Sequence, residues 1–178
     1  YYVLNPGKGS LACGDVGLGR LTEPEQILSD INNFFLNNSA LPLKGISALV
    51  TAGPTVEPID PVRYISNKSS GLQGYSFAEE LASLGAKVSL ISGPTNFVST
   101  EGLKVKKVIS AKDMMNEVKK SLPVDIAVCA AAVSDYRPVK KNKHKIKKEF
   151  SEMKNIKLEK NPDILEFLSK NNRSRPKI

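Results

Sequence analysis

The sequence has 178 residues, of which 40% are hydrophobic and 25% charged, and these ordinary values exclude a wholly disordered chain. No apolar stretch is long enough to span a membrane, and the N-terminus lacks the basic flank and apolar core of a signal peptide. Two cysteines are too few for a disulfide scaffold, so we expect a reducing, cytoplasmic location. Because the first residue is Tyr1 and not Met, we expect a fragment of a longer protein.

The positive charge is concentrated near the C-terminus. Residues 1–137 contain 13 basic and 13 acidic side chains, whereas residues 138–178 contain 13 basic and 5 acidic ones. The excess is densest between Lys140 and Lys148. Such a run is typical of a solvated loop, of a nucleic-acid-binding patch, or of a flap that closes over a polyphosphate.

The first forty residues differ from the rest in composition and in hydrophobic periodicity. Residues 1–25 are rich in Gly and Pro, with little periodicity, and we expect an extended loop. Apolar side chains at helical spacing predict a helix over 26–35. Residues 37–42 then have the composition of a linker.

From Gly45 onward, predicted strands and helices alternate. The strands are expected at 46–51, 87–92, 103–109 and 124–133, and the helices at 70–84, 111–122 and 162–169. We predict that Phe77, Leu81 and Leu84 face the core from the first helix, and that Asn161 caps the last one. This order favours an α/β, Rossmann-like, three-layer fold with a mostly parallel sheet and helices on both faces. Because the basic C-terminus ends where another strand could begin, we expect the domain to be truncated there.

Two segments have the composition of anion sites. Gly-Pro-Thr follows a predicted strand at Gly53 and again at Gly93, where exposed backbone could approach a ligand, although both copies are also good turn sequences. Ser69, Ser70 and Gly71 precede a predicted helix, whose free N–H groups would attract an anion. Neither the P-loop nor the Gly-x-Gly-x-x-Gly spacing is present.

The run from Cys129 to Asp135 ends the most apolar predicted strand. Its alanines leave room for a flat base or sugar, and Asp135 could accept hydrogen bonds from ribose. A close helix contact and a surface Asp explain the same residues equally well. The single His144 and the two distant cysteines do not form a Cys/His zinc site, and no Ser-His-Asp triad is evident.

Taken together, these motifs resemble phosphopantothenoylcysteine synthetase. The resemblance is carried by Leu49–Thr55, Asp60–Asn67, Ser69–Gly71, the Ala-Ala-Val-Ser-Asp-Tyr run and Lys145–Lys148. In bacteria this domain is usually the C-terminal half of a bifunctional synthetase and decarboxylase, and Leu11–Arg20 resembles the end of the decarboxylase half. The resemblance therefore implies that residues 1–40 are the tail of the decarboxylase domain with a linker, and that residues 43–178 are an incomplete synthetase domain.

The resemblance implies a CTP-dependent ligase of coenzyme A biosynthesis. Such an enzyme joins 4′-phosphopantothenate to L-cysteine through an acyl-cytidylate, with Mg²⁺ accompanying CTP and with unknown metal ligands. It implies a homodimer through the synthetase domain and a larger assembly at full length, with neither nucleic acid nor membrane as a partner. The full-length protein is also expected to decarboxylate the product with FMN, which this chain lacks the residues to do alone.

The resemblance also implies roles for individual residues. Asn67 and Lys145 are expected to act in ligation, and Cys13 as the proton donor of the decarboxylase. The nucleotide and phosphate contacts are expected at Gly53, Ser69, Ser70, Gly71, Cys129, Ala130, Ala131, Asp135, Lys145, Lys147, Lys148, Asn161, Pro162, Asp163 and Ile164. Leu72 and Gln73 depart from the family pattern, in which a basic residue follows Ser-Ser-Gly.

Two other classes of function are weaker alternatives. An NAD(P)-binding Rossmann oxidoreductase fits the fold, but the sequence lacks the glycine fingerprint and the acidic residue after the second strand. A nucleic-acid-binding module fits the basic C-terminus, but few aromatic residues are interleaved with its lysines.

Overall fold

The computed structural model describes residues 3–10, 14–38, 41–97, 103–147, 155–170 and 176–178. The chain divides into two compact units, Tyr1–Pro42 and Leu43–Ile178, which are taken separately below. Within the described ranges, none of the helices combines the length and the apolar character that crossing a bilayer requires.

The first unit contains a β-hairpin and a helix. Strands β1 (Gly7–Ser10) and β2 (Val16–Arg20) pair antiparallel, and helix α1 spans Pro24–Asn38. The prediction of an extended loop over 1–25 is therefore wrong, and the predicted helix is longer at both ends. Glycines alternate through both strands, so the sequence shows neither β-propensity nor hydrophobic periodicity there.

The second unit begins with a strand and alternates strands with helices. Its elements are β3 (Ser47–Ala52), β4 (Val56–Pro58), β5 (Tyr64–Ser66), α2 (Leu72–Ser83), β6 (Lys87–Ser92), β7 (Lys104–Lys107), α3 (Ala111–Ser121), β8 (Ile126–Cys129), β9 (Tyr136–Pro138), β10 (Leu158–Lys160) and α4 (Ile164–Lys170).

Four of these strands form one parallel sheet in the order β7-β6-β3-β8. In chain order these strands are third, second, first and fourth, which is the arrangement of a Rossmann-like half sheet. The strand order reverses between β3 and β8, so the segments that follow these two neighbouring strands lead to helices on opposite faces of the sheet. The predicted α/β, Rossmann-like fold is confirmed.

The sheet separates two apolar clusters, because alternate side chains of a strand point to opposite faces. Leu49 of β3 packs with Met114 and Val118 of α3 and with residues of α4. Its neighbours Ala48 and Val50 pack on the other face, against Tyr75 and other residues of α2. The result is three layers, with α2 on one side and α3 and α4 on the other.

Three details of the predicted elements are wrong. Strand β8 ends at Cys129, not at Val133; beyond it the N–H groups of Ala130 and Ala132 still donate to the carbonyls of Thr51 and Gly53, and an isolated bridge joins Ala132 to Pro54, but no regular ladder continues. Phe77 is 45% exposed, and α2 instead buries Gly74, Tyr75 and Ala78. The short antiparallel pairs β4–β5 and β9–β10 were not expected at all.

Candidate functional site

A pocket of about 740 Å³ opens at the carboxyl ends of β3 and β8. Open parallel sheets bind ligands at such a point of strand-order reversal, because the following chain segments diverge there and leave a crevice. The lining residues come from both strand ends, from the segment after β8 and from the start of α4. They are Thr51, Cys129, Ala131, Val133, Ser134, Asp135, Tyr136, Lys160, Asn161, Pro162, Asp163, Ile164, Leu165 and Glu166.

The segment after β8 forms the inner wall of this pocket, and three side chains hold its backbone. The Asn67 side-chain amide donates to the carbonyl of Val133 at 3.0 Å. The buried hydroxyl of Thr55 accepts from the N–H of Ser134 at 2.9 Å. The Asn161 amide donates to the carbonyl of Ser134 at 2.8 Å. Contacts from three separate segments therefore fix the wall before any ligand is present.

Asn161 is itself held in place. Its side-chain oxygen accepts from Arg137 Nη1 at 2.9 Å, and its N–H donates to the carbonyl of Asp135 at 2.7 Å. Arg137 also pairs with Glu159 at 2.9 Å. The prediction that Asn161 caps the last helix is wrong, because α4 begins at Ile164 and Asp163 Oδ1 accepts from the N–H of Glu166 at 2.8 Å.

The pocket lining is predominantly acidic. Asp135, Asp163 and Glu166 face it together with a single cation, Lys160. Burial, and then the Asp163 carboxylate, raise the pKa of the Cys129 thiol, so that the thiol stays protonated at neutral pH. Such a lining suits a neutral ligand portion that carries hydroxyl or amino donors, and it disfavours a phosphate within the pocket.

The two Gly-Pro-Thr turns pack against each other. A Cβ placed on Gly93 would lie 1.7 Å from the carbonyl oxygen of Pro54, and one on Gly53 would lie 2.6 Å from Thr95 Cγ2. Thr55 is fully buried, and its hydroxyl holds the pocket wall, as described above. The interpretation of Gly-Pro-Thr as a turn therefore accounts for Thr55, because its hydroxyl does not face solvent.

The serine-rich segment before α2 satisfies part of its own backbone. Ser69 Oγ accepts from the N–H of Gly71 at 3.2 Å, and Ser70 Oγ accepts from the N–H of Leu72 at 3.3 Å. The expectation that these N–H groups are free is therefore wrong. Gly53, Ser69, Ser70 and Gly71 do not line the pocket, and their role in binding phosphate stays a prediction.

The lysine-rich segment 140–148, called here the lysine strip, is attached at Ile146 to the β4–β5 connection. Asp60 Oδ2 accepts from the N–H of Ile146 at 3.2 Å, and Arg63 Nη2 donates to the carbonyl of Ile146 at 2.8 Å. Lys145 and Lys147 are exposed and do not line the pocket. Lys148 and Cys13 lie outside the described residues.

Of the other residues expected to bind a nucleotide, the structure brings six together around the pocket. These are Cys129, Ala131, Asp135, Pro162, Asp163 and Ile164, with Asn161 as the group that shapes the wall. Ala130 follows β8 directly but is not among the lining residues. Ser134 and Arg137 were not predicted at the site, since a lone Ser or Arg gives no periodic or spacing signal, and Thr55 was noted only as part of the first Gly-Pro-Thr sequence, not for its contact with Ser134. Among the described residues, no cluster of three His, Cys, Asp or Glu side chains could hold a metal ion.

The comparisons with known proteins agree on one family. Residues 43–178 match the model of the DNA/pantothenate metabolism flavoprotein C-terminal domain. The chain is 44% identical over 164 residues to the coenzyme A biosynthesis bifunctional protein CoaBC of Haemophilus influenzae, an alignment that covers 92% of this chain and 40% of that protein. The chain thus spans about two fifths of the length of the curated relatives that it matches.

Solved structures agree with this family. The C-terminal domain of a CoaBC protein superposes with a TM-score of 0.65 at 40% identity, covering 77% of this chain and 64% of that one. The DNA/pantothenate metabolism flavoprotein of Streptococcus pneumoniae gives a TM-score of 0.61 at 27% identity, covering 72% and 66% respectively.

These comparisons correct the assignment to phosphopantothenoylcysteine synthetase. The matching family is described as a flavoprotein domain, and the names of the relatives given above specify coenzyme A biosynthesis without naming a ligase. CTP-dependent ligation as the main activity, with CTP and Mg²⁺ as ligands, is thus not supported for this chain, and neither is the NAD(P)-dependent oxidoreductase. The chain belongs to the family of the DNA/pantothenate metabolism flavoprotein C-terminal domain.

Proposed function

We propose that this chain is part of a cytoplasmic bifunctional protein of coenzyme A biosynthesis that carries out an FMN-dependent decarboxylation. Within that protein, residues 43–178 supply a pocket for a small ligand with a planar ring and hydroxyl groups, the chemical class to which mononucleotides belong. The observation that carries the proposal is the pocket at the strand-order reversal of a sheet whose family is named for a flavin and for pantothenate.

The size and chemistry of the pocket support this ligand class. Its volume of about 740 Å³ lies in the range of small-molecule sites. The small side chain of Ala131 leaves space for a flat ring, and Asp135, Asp163 and Glu166 offer acceptors to hydroxyl groups. The phosphate of a mononucleotide would have to extend beyond these carboxylates.

FMN fits this lining in part. Its ring and its hydroxyl-bearing chain match the flat, acceptor-rich wall, whereas its phosphate needs positive charge that the lining supplies only at Lys160. When bound, FMN supplies a ring that accepts and returns two electrons. The residues of the chain would bind and orient the ligand and exclude water from it, and Cys13 is proposed as the group that returns a proton during decarboxylation. The remaining predictions, of phosphopantothenate-derived substrates, L-cysteine, a homodimer and the absence of nucleic acid and membrane partners, are part of the proposal.

A titration of the 178-residue chain tests the pocket. FMN binding is followed by quenching of flavin fluorescence, and CMP, a mononucleotide without a flavin, is titrated by calorimetry. We expect at least one of them to bind and the Ala131→Leu variant, which fills the pocket, to bind at least about tenfold more weakly. Asn96→Leu adds the same side chain at an exposed position outside the pocket and is the control.

The outcomes separate the parts of the proposal. Binding of FMN supports a flavin in this pocket, whereas binding of CMP alone keeps the mononucleotide pocket and removes the flavin from it. If neither compound binds, the pocket has another function. The decarboxylation is tested on the longer protein by CO₂ release from phosphopantothenoylcysteine, and Cys13→Ser is expected to abolish it while FMN stays bound.

A further inference from the structure

Ser134 carries a buried polar group that the described structure leaves without a partner. The residue is 3% exposed, yet its hydroxyl oxygen has no hydrogen-bond partner among the residues that the structure describes. A buried hydroxyl without a partner is unfavourable, because its hydrogen bonds to water are lost and nothing replaces them. Each unpartnered group of this kind in a native protein calls for an explanation, of which a functional role is one, and Ser134 is one of the residues that line the pocket.

The backbone of Ser134 is held rigidly while its side chain is left unused. The N–H donates to Thr55 Oγ1 at 2.9 Å and the carbonyl accepts from Asn161 Nδ2 at 2.8 Å. The preceding carbonyl, of Val133, accepts from Asn67 at 3.0 Å. Three side chains therefore fix the position of the residue, and its unpartnered hydroxyl would reach a ligand in the pocket by turning about the Cα–Cβ bond to another staggered position. Binding groups are most effective when they are supported in this way.

The hydroxyl adds an uncharged donor to a pocket wall that is rich in carboxylates. The carboxylates of Asp135, Asp163 and Glu166 accept hydrogen bonds and cannot donate them. One N–H of the Asn161 amide is already bonded to the carbonyl of Ser134. A serine hydroxyl can donate to a ligand acceptor without adding a charge. The inner wall is therefore equipped to recognise a carbonyl oxygen or a ring nitrogen.

We propose that the Ser134 hydroxyl is a binding residue of this pocket and that it donates a hydrogen bond to an acceptor atom of the ligand's planar ring. The inference rests on the proposed function, since it needs a ring-bearing ligand in the pocket. It adds the residue that selects ligands with an acceptor at that position.

The test compares ligand binding with stability in the 178-residue chain. Ser134→Ala is expected to bind FMN, or CMP where CMP is the compound that wild type binds, roughly tenfold more weakly. Its melting temperature without ligand is expected to stay the same or to rise, because no hydrogen bond is lost. Ser92→Ala is the matched control: this serine is fully buried, but its hydroxyl bonds to Tyr75 and to the Gly93 carbonyl. The control should lower the melting temperature.

The two readouts make the result unambiguous. If Ser134→Ala binds the ligand as tightly as wild type does, or melts as much below wild type as Ser92→Ala, the proposal is overturned. If wild type binds neither FMN nor CMP, the proposed function fails, and the role of Ser134 fails with it. If wild type binds the ligand and Ser134→Ala binds it more weakly without a loss of stability, the proposed function and the role of Ser134 are both supported.

Discussion

The side-chain amide of Asn161 donates to the carbonyl oxygen of Ser134 across 2.8 Å, although the two residues are 27 positions apart in the chain. This contact joins the entry to α4 with the segment after β8, which form two sides of the pocket. Arg137 completes the arrangement by donating to Asn161 Oδ1 at 2.9 Å. The side-chain amide is thus bonded at both of its polar atoms, and together with the bond from the Asn161 N–H to the Asp135 carbonyl it sets the width of the pocket.

Replacing this amide should loosen the pocket. Asn161→Ala removes both hydrogen bonds, and we expect a loss of about 1–2 kcal/mol in the free energy of unfolding. Ligand binding should weaken roughly tenfold, because the carbonyl of Ser134 is no longer held. Urea unfolding and titration with FMN and CMP measure the two effects. Asn96→Ala, at an exposed position, should change neither, and an Asn161→Ala variant with unaltered stability would contradict the role assigned to the amide.

The sheet was predictable because its strands and helices alternate with clear hydrophobic runs. Met114, Met115 and Val118 recur at helical spacing within the predicted helix 111–122, and all three are buried on one side of α3. Phe77 shows the opposite case: its size suggested a core position, but the closely packed face of α2 takes Gly74 and Ala78 instead.

The residues of the site were only partly predictable, because several contacts that hold them join distant parts of the chain. Asp135 was expected at the pocket because it follows the strand that ends at the carboxyl edge of the sheet, and Ile164 because the family resemblance implied it. The supporting contacts of Thr55 and Asn161 to Ser134 join residues 79 and 27 positions apart, and no local pattern encodes them. The lysine strip was expected over the nucleotide, but the structure attaches it through Ile146 to Asp60, and only tertiary packing decides such a contact.

Asp60 anchors the lysine strip in a manner that depends on pH. Burial by itself would raise the pKa of this carboxyl, but hydrogen bonds from the Arg63 side chain and from the N–H groups of Val62, Arg63 and Ile146 outweigh it and hold the pKa well below its ordinary value of 3.8. Because the folded state favours the carboxylate, its contribution to stability is complete above the ordinary pKa and is lost as the pH falls below it.

The matching experiment uses Asp60→Asn. We expect the variant to be less stable than wild type at neutral pH and the difference to shrink between about pH 4 and about pH 2 in urea unfolding. Trypsin should also cleave faster after Lys145 and Lys147, because Ile146 loses its anchor. Asp30→Asn, which removes a carboxylate from helix α1, is the control. A stability difference that stays constant as the pH falls would exclude Asp60 as the titrating group.

The N-terminus of α3 carries a reciprocal cap whose removal has a defined cost. Ser110 Oγ accepts from the N–H of Asp113 at 3.2 Å, and Asp113 Oδ2 accepts from the N–H of Ser110 at 3.0 Å. Ser110→Ala should lower the free energy of unfolding by about 1 kcal/mol. It should also let the pKa of Asp113 rise, since hydrogen bonds from Ser110 are the main cause that lowers it. Carboxyl NMR titration measures the second effect, and Ser83→Ala, on the exposed surface of α2, should show neither.

The contact between the two Gly-Pro-Thr turns gives the largest expected loss of stability. A Cβ at Gly93 would lie 1.7 Å from the carbonyl oxygen of Pro54, and the backbone there cannot move without shifting Thr55, whose hydroxyl holds the N–H of Ser134. Gly93→Ala should therefore destabilise the fold by more than about 4 kcal/mol, and any protein that folds should bind FMN or CMP more weakly than wild type. Gly45→Ala is the control, because Gly45 has a φ of +87° but no atom within 4 Å of its added Cβ. It should cost only about 1–2 kcal/mol, from backbone strain alone. Thermal and urea unfolding compare the two variants, and a loss in Gly93→Ala no larger than that in Gly45→Ala would contradict the assigned effect of the close approach of the two turns.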